Sequence, residues 1–433
     1  MPFLRRASLA VVIVVVLAAC DTGSTATTTD GVGTTTTTTI VVGETTTTQP
    51  SQPITELPGT EDLPQDVREE LLVLVNLTQD LRELGFTEPP LISVVSDAEL
   101  EARVRAQIEE EAEDFPVDEA LYKLLGLLSP TADLTTLLTD LYGEQVAGFY
   151  DGETGELVVP IREDGFSLVQ KATMVHELTH ALTDQNFDFH TKYQAMFDEQ
   201  RYDQAAAYQA LIEGDASLNE VLYLQTLSQA ELGEFFAEAL QVGTGQLDAA
   251  PRFLQETLIF PYDTGLAFVQ DLYLGDGWSA VDEAYSLLND LPGSTEQIIT
   301  PDDYGRDLPI EVVMPDIEVA GYTLEESSVW GEFGLRVMFG GVMDESETLT
   351  AADGWGGDSY SLWYDGSNAA FLIVYEGDTD RDMEEARVAL LQYATTNIPD
   401  AAFVWVEVIN DQLAFIAADV PAVGEGIRDA LKG

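Results

Sequence analysis

Apolar residues recur at helical spacing through a long segment of this chain. Between positions 64 and 142 they fall three or four residues apart, which is the period of an amphipathic helix. Pro89-Pro90 and Ser129-Pro130 interrupt the pattern, because proline rarely continues a helix. We therefore predict several helices over residues 63–145, and no catalytic chemistry is evident in this segment.

The pattern changes to that of strands immediately before the next helix. Residues 146–150 and 156–159 flank a turn rich in Gly and Asp, which predicts a β-hairpin. Ser167 begins a helix whose apolar stripe reaches Leu182, and a further helix is predicted over residues 203–227. Because the hairpin directly precedes the helix that begins at Ser167, side chains of this helix are expected to lie beside a small sheet.

Two similar units follow each other near the C-terminus. The first has strands at 359–364 and 369–375 and a helix at 381–394, and the second has strands at 402–409 and 412–418 and a helix at 423–431. Two ββα units can pair into one antiparallel sheet with helices on one face. We predict an α+β chain that ends in an accessory domain with a ββα repeat, over residues 306–433.

Composition and charge exclude several classes of partner. The 433 residues include 78 acidic and 18 basic side chains, with a formal net charge of −60 and 45% hydrophobic residues. The apolar fraction suffices for a sizeable core, whereas the charge repels the phosphates of nucleic acids and anionic membrane surfaces. A single Cys cannot close an intramolecular disulfide, so the core or a metal must hold the fold.

The N-terminal residues predict export and a lipid anchor. Arg5 and Arg6 precede an apolar run over residues 9–17, which is too short for an ordinary membrane-spanning helix and is typical of a signal peptide. Leu17-Ala18-Ala19-Cys20 resembles a bacterial lipobox, which implies lipidation of Cys20 and an extracytoplasmic lipoprotein of the cell membrane. The alternative is an ordinary signal peptide with an incidental Cys. We assign residues 1–19 to the signal peptide.

A low-complexity segment follows the signal peptide. Residues 22–55 contain 16 threonines, no Lys or Arg and almost no large apolar side chains. Such a composition cannot build a core. We predict a disordered stalk over residues 20–62, so that the membrane is reached through lipidated Cys20 only.

The predicted helix after Ser167 carries the sequence His176-Glu177-Leu178-Thr179-His180. Two imidazoles four residues apart project from one face of a helix and can reach one metal ion. Glu177 follows the first His, so it lies beside the open position of the metal and can take a proton from water there. The motif predicts a zinc site (Zn2+) with Glu177 as the catalytic group.

Two histidines require a third protein ligand. The close Gly and His continuation of the metzincins is missing, because position 186 is Asn and no Gly follows soon after. The remaining candidates are His190 and an acid on the helix predicted over residues 203–227, where Glu213, Asp215 and Glu220 are available.

The sequence Ile212-Glu213-Gly214-Asp215-Ala216 resembles the gluzincin zinc metallopeptidases, whose third ligand is a Glu on a helix downstream of H-E-x-x-H. The resemblance covers residues 146–227 and implies Glu213 as ligand. It also implies a mostly helical zincin-like domain with a small sheet, assigned to residues 146–305. In this family a strand edge pairs with extended substrate, a role that residues 148–150 or 156–159 would take here.

Two further residues are candidates for supporting roles. Asp184 lies four residues beyond His180 on the same helical face, so it could accept a hydrogen bond from a ligand imidazole. Tyr262 could donate its phenolic hydroxyl to the oxyanion, although a Tyr in an apolar run commonly belongs to the core. Gly214 would let the motif helix and the helix predicted over residues 203–227 approach closely around the metal. The 32 residues between His180 and Glu213 leave room for residues 187–200 to form a loop over the cleft, and the alternative is a plain surface loop.

These features predict an exported, lipid-anchored zinc metallopeptidase that hydrolyses peptide bonds in peptide or protein substrates. The alternative is a non-catalytic, zinc-stabilised surface lipoprotein that binds a partner through its C-terminal domain. An accessible cleft with a water site favours the enzyme, whereas a cleft filled by side chains of the chain itself favours the binding protein.

Overall fold

The computed structural model describes residues 9–13, 52–112, 115–160, 165–241, 245–398 and 402–433. Within these ranges the chain is an α+β protein with sixteen α-helices and two sheets, as the sequence predicts. Cys20 and the threonine-rich segment up to residue 51 lie outside the described residues. Of the predicted signal peptide, only Leu9–Ile13 is described, as strand β1.

The first part of the body contains twelve elements before its last long helix, α10 (Arg252–Asp276). They are α1 (Gln65–Arg82), β2 (Leu91–Val95), α2 (Asp97–Glu111), α3 (Phe115–Leu124), α4 (Leu134–Gln145), β3 (Val146–Asp151), β4 (Glu156–Pro160), α5 (Leu168–Phe187), α6 (Phe189–Asp198), α7 (Tyr202–Thr226), α8 (Gln229–Ala239) and α9 (Gly245–Ala249), followed by α10 (Arg252–Asp276) and α11 (Trp278–Tyr285). Short α12 (Thr295–Ile299) closes this part.

The second part of the body alternates strands and helices. It contains β5 (Thr323–Ser328), α13 (Gly331–Gly340), α14 (Glu345–Ala352), β6 (Trp355–Tyr364), β7 (Ala369–Gly377), α15 (Asp380–Thr396), β8 (Phe403–Ile409), β9 (Gln412–Ala418) and α16 (Pro421–Lys432). Its strands pair antiparallel in the order β5-β6-β7-β9-β8.

The smaller sheet packs against α5 through β3 and β4. Its strand order is β1-β3-β4-β2. Strands β3 and β4 form the predicted hairpin, β1 pairs antiparallel with the outer edge of β3, and β2 pairs parallel with β4. Strand β2 interrupts the segment that we predicted to be helical. Its sequence Leu-Ile-Ser-Val-Val is rich in β-branched residues, and Ile92 is buried against Leu157 of the hairpin.

The segment predicted as a loop over the cleft is helix α6. Phe189, Tyr193 and Met196 recur at helical spacing and are buried in the cluster that also contains residues of α7. The break between α5 and α6 is confined to Asp188, whose φ of 52° is left-handed. The helical spacing of the apolar residues within 189–196 therefore explains why this segment forms a helix and not a loop.

Hydrophobic contacts cross between the two parts of the body. One cluster contains Leu121 of α3 and Leu138 of α4 together with Phe371 and Phe415 of the larger sheet. The Tyr393 hydroxyl on α15 donates to the backbone carbonyl of Leu125 at 2.6 Å. The helices before the hairpin thus share a core with the C-terminal sheet. Among the described residues, no helix combines the length and apolarity needed to cross a membrane.

Candidate metal centre

Helix α5 carries the H-E-x-x-H sequence through the middle of the protein. Its N-terminus is fixed by a capping box, in which Ser167 accepts from the Gln170 backbone N–H and the Gln170 side chain accepts from the Ser167 N–H. Every side chain from Ala172 to Thr183 is buried. The helix therefore has neighbours on all sides, and its polar residues must be satisfied by side chains from other elements.

The structure brings the three predicted ligands together. Glu213 on α7 places Oε2 3.1 Å from His176 Nε2 and 3.3 Å from His180 Nε2. One ligand atom from each of the three residues lies within 4.8 Å of the others, and all three side chains are buried. The three side chains could therefore hold a metal ion between them.

Two polar atoms at this centre, Oε1 of Glu177 and Nδ1 of His180, have no hydrogen-bond partner among the described residues. His180 Nε2 and His176 Nδ1 make only long contacts, of 3.3 Å to Glu213 and 3.4 Å to Glu220. Buried polar atoms without partners are costly and uncommon in native proteins. A cation bound between the imidazoles and the carboxylate would use the nitrogens that face Glu213, so the donor set fits a metal.

The charges at the centre are strongly coupled. Burial alone would raise the pKa of Glu213, but the charges of both imidazoles and their hydrogen bonds lower it to about 2. Burial alone would lower the pKa of His176, but hydrogen bonds to Glu213 and Glu220 raise it to about 10. The carboxylate therefore favours positive charge at the place where a metal would lie.

Glu177 lies beside the three ligands and is completely buried. Its Oε2 accepts a hydrogen bond of 2.7 Å from the backbone N–H of Tyr150 in β3. Burial is the main factor that raises the pKa of Glu177 well above its usual value. One carboxylate oxygen is thus held by the sheet, while the other remains available to exchange a proton.

The structure gives Asp184 partners other than the predicted imidazole. Its Oδ2 accepts from the Tyr150 hydroxyl at 2.8 Å, and its Oδ1 accepts from the backbone N–H of His190 at 2.9 Å. Asp184 follows His180 by more than one turn and faces the hairpin and the start of α6. The predicted hydrogen bond to a ligand imidazole is therefore replaced by contacts to these two elements.

The carboxylate near a ligand imidazole is instead Glu220. Its Oε2 lies 3.4 Å from His176 Nδ1, on the opposite side of the ring from Glu213. Sequence reasoning considered Glu220 only as an alternative metal ligand. The overlooked signal is its spacing of seven residues from Glu213, which is about two helical turns and places both side chains on one face of α7.

The other alternative ligands lie elsewhere. The His190 ring packs so closely against the β3–β4 turn that a Cβ on Gly152 would overlap it. Asp215 forms a buried ion pair with Arg82 of α1, at 2.7 Å from Nε, and Arg82 also reaches Asp282 at 2.6 Å. Neither His190 nor Asp215 belongs to the group of ligand atoms at the metal centre.

Tyr262 of α10 completes the surroundings of the centre. Its ring centroid lies 6.0 Å from that of His176, and its hydroxyl hydrogen-bonds with Glu213. Burial, reinforced by the charges of Glu213 and Glu177, raises the pKa of Tyr262 well above its usual value. The phenol therefore remains a neutral hydrogen-bond donor at the centre, where the sequence predicted a donor.

Gly214 does permit a close helix approach, but not the one that we expected. A Cβ at Gly214 would overlap the backbone of Gly265 in α10, and a Cβ at Gly265 would overlap the backbone of Ala210 in α7. The two glycines therefore bring α7 against α10, whereas the expected partner was the motif helix. This crossing places Tyr262 near Glu213.

The match to a known family lies outside the metal centre. Residues 321–417 match a family described as "Domain of unknown function (DUF8575)". This range begins just before β5 and ends within β9, so it covers most of the larger sheet. No match was found among curated proteins or among solved structures.

Proposed function

We propose that this chain is an exported, lipid-anchored, zinc-dependent peptidase with a zincin-like catalytic domain. The observation that carries the proposal is the buried group of His176, His180 and Glu213, with N···O distances near those of a tetrahedral zinc site. Glu177 lies next to this group, as hydrolysis requires of a general base. The anchor follows from the lipobox resemblance at Leu17 to Cys20.

The donor set favours a catalytic over a structural metal. Structural zinc sites are closed by four protein ligands, whereas catalytic sites have three and leave a position for water or substrate. Among the described residues, the group at this centre contains three ligands, of the His, His and Glu types. When bound, zinc would supply Lewis acidity toward a carbonyl oxygen and toward water.

The side chains of the chain have distinct roles in this proposal. Glu177 accepts a proton from the attacking water at Oε1 and passes it to the leaving amine, because its Oε2 is already engaged by Tyr150. Tyr262 donates its hydroxyl proton in a hydrogen bond to the oxygen that becomes negative on the carbonyl. Its resting hydrogen bond to Glu213 keeps the phenol near the reacting groups.

The outer edge of β3 becomes open to a peptide once the proposed signal peptide, which contains β1, is removed. Strand β4 pairs with β2 and β3 on its two sides, whereas the outer edge of β3 pairs with β1 of the N-terminal segment. The pairing with β1 supports the proposal that β3 accepts an extended chain antiparallel. Backbone hydrogen bonds to β3 would select extended peptides with little dependence on sequence. The C-terminal domain with its ββα repeat has an accessory role.

One observation favours the second candidate, a non-catalytic zinc-stabilised lipoprotein. His176, Glu177, His180 and Glu213 are each at most 1% exposed, so substrate has no open path to them in this conformation. A metal enclosed in this way can stabilise a fold without catalysis. The C-terminal sheet would then be the part that binds a partner.

Hydrolysis of an unfolded protein distinguishes the two candidates. The zinc-loaded chain is incubated with casein, and new amino termini are counted before chelation, after chelation and after zinc is restored. The peptidase proposal predicts hydrolysis that stops with chelation and returns with zinc. Unchanged thermal stability on chelation would contradict any zinc site, whereas lower stability without hydrolysis in any sample supports the binding protein.

A further inference from the structure

Tyr150 hydrogen-bonds both to Glu177 and to Asp184, a second acid of helix α5. Its backbone N–H donates to Glu177 Oε2 at 2.7 Å, and its hydroxyl donates to Asp184 Oδ2 at 2.8 Å. Glu177 and Asp184 are seven residues apart, which is about 10 Å along a helix. One strand residue therefore joins two points on α5 that lie two turns apart.

Helix α6 also holds the carboxylate of Asp184. Asp184 Oδ1 accepts from the backbone N–H of His190, the second residue of α6. Both carboxylate oxygens of Asp184 are thus engaged, one by β3 and one by α6. The Tyr150 ring also contacts Phe189 edge-on, with centroids 6.4 Å apart, and Phe189 contacts His180 in the same manner at 6.1 Å.

These contacts fix the distance between a strand edge and a helix. The backbone N–H of Tyr150 can hold Glu177 only while β3 keeps its position relative to α5. On the proposed function, β3 is also the strand that pairs with peptide, so binding would pull on this strand. The hydroxyl bond to Asp184 opposes such a movement, because breaking it leaves the hydroxyl of buried Tyr150 without this half-buried acceptor.

From this geometry we infer that Tyr150 and Asp184 are positioning residues, which hold β3 against α5 so that Glu177 stays oriented for proton transfer. Neither residue touches the reacting atoms. The inference rests on the proposed peptidase function for its effect on rate, but the link between strand and helix can be measured without catalysis. A shift of about 1 Å in a catalytic group can cost up to about a hundredfold in rate.

The first measurement is kinetic and uses the zinc-loaded full chain. Tyr150→Phe and Asp184→Ala should each lower kcat about tenfold, with KM changed less than about twofold and zinc content unchanged. Because both variants break the same link, the double variant should be no slower than the slower single variant. Losses that multiply in the double variant would overturn the inference. Tyr393→Phe, which removes another buried hydroxyl, should retain wild-type kcat.

The second measurement is hydrogen exchange of the β3 backbone in the resting protein. Tyr150→Phe and Asp184→Ala should accelerate exchange of peptides that cover residues 146–151, and Tyr393→Phe should not. If the wild-type chain does not hydrolyse peptides but both variants accelerate exchange, the link stands and the peptidase proposal fails. If the wild-type chain hydrolyses peptides but exchange is unchanged in both variants, the inference fails and the peptidase proposal stands.

Discussion

The metal centre and the C-terminal sheet both bury acidic side chains, but they satisfy them differently. At the C-terminal sheet, Asp358 accepts from the backbone N–H groups of Trp330 and Gly331 and from the Trp355 indole, at 2.7–2.9 Å. At the metal centre, Glu177 Oε1 and His180 Nδ1 have no hydrogen-bond partner among the described residues. A buried acid with partners from its own chain is structural, whereas convergent buried atoms without partners are suited to bind a ligand.

The same contrast exists within the first part of the body. Arg82 and Asp215 are fully buried and pair through two hydrogen bonds, although Asp215 follows the proposed ligand Glu213 by only two residues. The Arg82 guanidinium also lies 4.1 Å from the ring centroid of Trp278. Proximity to the metal centre therefore does not make an acid functional, and the decisive property is whether the fold already supplies its partners.

The largest expected effect follows from removing the proton acceptor. Glu177→Gln keeps the shape of the side chain and leaves all three ligands in place, so zinc content should remain near that of wild type. Hydrolysis of casein should fall by at least about a hundredfold, because a positioned general base contributes about 10² to 10⁴ in rate. Zinc by elemental analysis and new amino termini are measured on one preparation. Wild-type cleavage with zinc bound would remove Glu177 from the mechanism.

Breaking the buried ion pair between Arg82 and Asp215 should lower the stability of the fold without removing a catalytic group. Arg82→Ala leaves Asp215 buried without its charged partner, so we expect the free energy of unfolding to fall by about 3–5 kcal/mol. Denaturant titration measures this change. Arg428→Ala, which removes an arginine paired at the surface, is the matched control and should change stability by less than about 1 kcal/mol. Equal effects of the two variants would refute the structural assignment of Arg82.

Asp358 provides the corresponding test in the C-terminal sheet. Asp358→Ala removes the acceptor of three buried donors, so the free energy of unfolding should fall by about 1–3 kcal/mol. The loss should be the same with zinc present and after chelation, because no metal contributes to this site. A loss that appears only in one of the two states would break the contrast between the regions.

The smallest expected effect concerns pH. Burial is the main factor that raises the pKa of Glu332 to about 7, against the charge of Arg336. The folded protein therefore retains this proton more strongly than the unfolded chain, so this group's contribution to stability decreases as pH rises from about 4.5 to about 7. Glu332→Gln should reduce the fall in Tm between about pH 5 and about pH 8. Exposed Glu345→Gln should leave that fall unchanged, and equal falls in all three proteins would contradict this assignment.

The sequence was most informative where local pattern and chemistry coincide. Helical spacing and the capping residue Ser167 locate α5, and the H-E-x-x-H sequence brings His176 and His180 to one face. The resemblance to the gluzincin metallopeptidases predicts Glu213 as the third ligand, and the structure places it at the two imidazoles. Strands β6 to β9 also lie where alternation and turn residues predict them.

Contacts between distant elements could not be predicted in the same way. Helical spacing places Asp184 on the face of His180 but does not reveal that Tyr150 and the backbone of His190 take up its carboxylate. Gly214 signals a close approach without identifying Gly265 as the partner. The first outcome depends on how β3 packs against α5, and the second depends on how α10 packs against α7. A single sequence does not specify this packing.

Zinc content of paired variants tests the central claim most directly. The chain is saturated with zinc, dialysed and analysed for metal, and Glu213→Ala is compared with His190→Ala. The account predicts about one zinc per wild-type chain, near-complete loss in Glu213→Ala and full retention in His190→Ala, because only Glu213 reaches both imidazoles. Retention of zinc in Glu213→Ala together with its loss in His190→Ala would contradict the proposed ligand set.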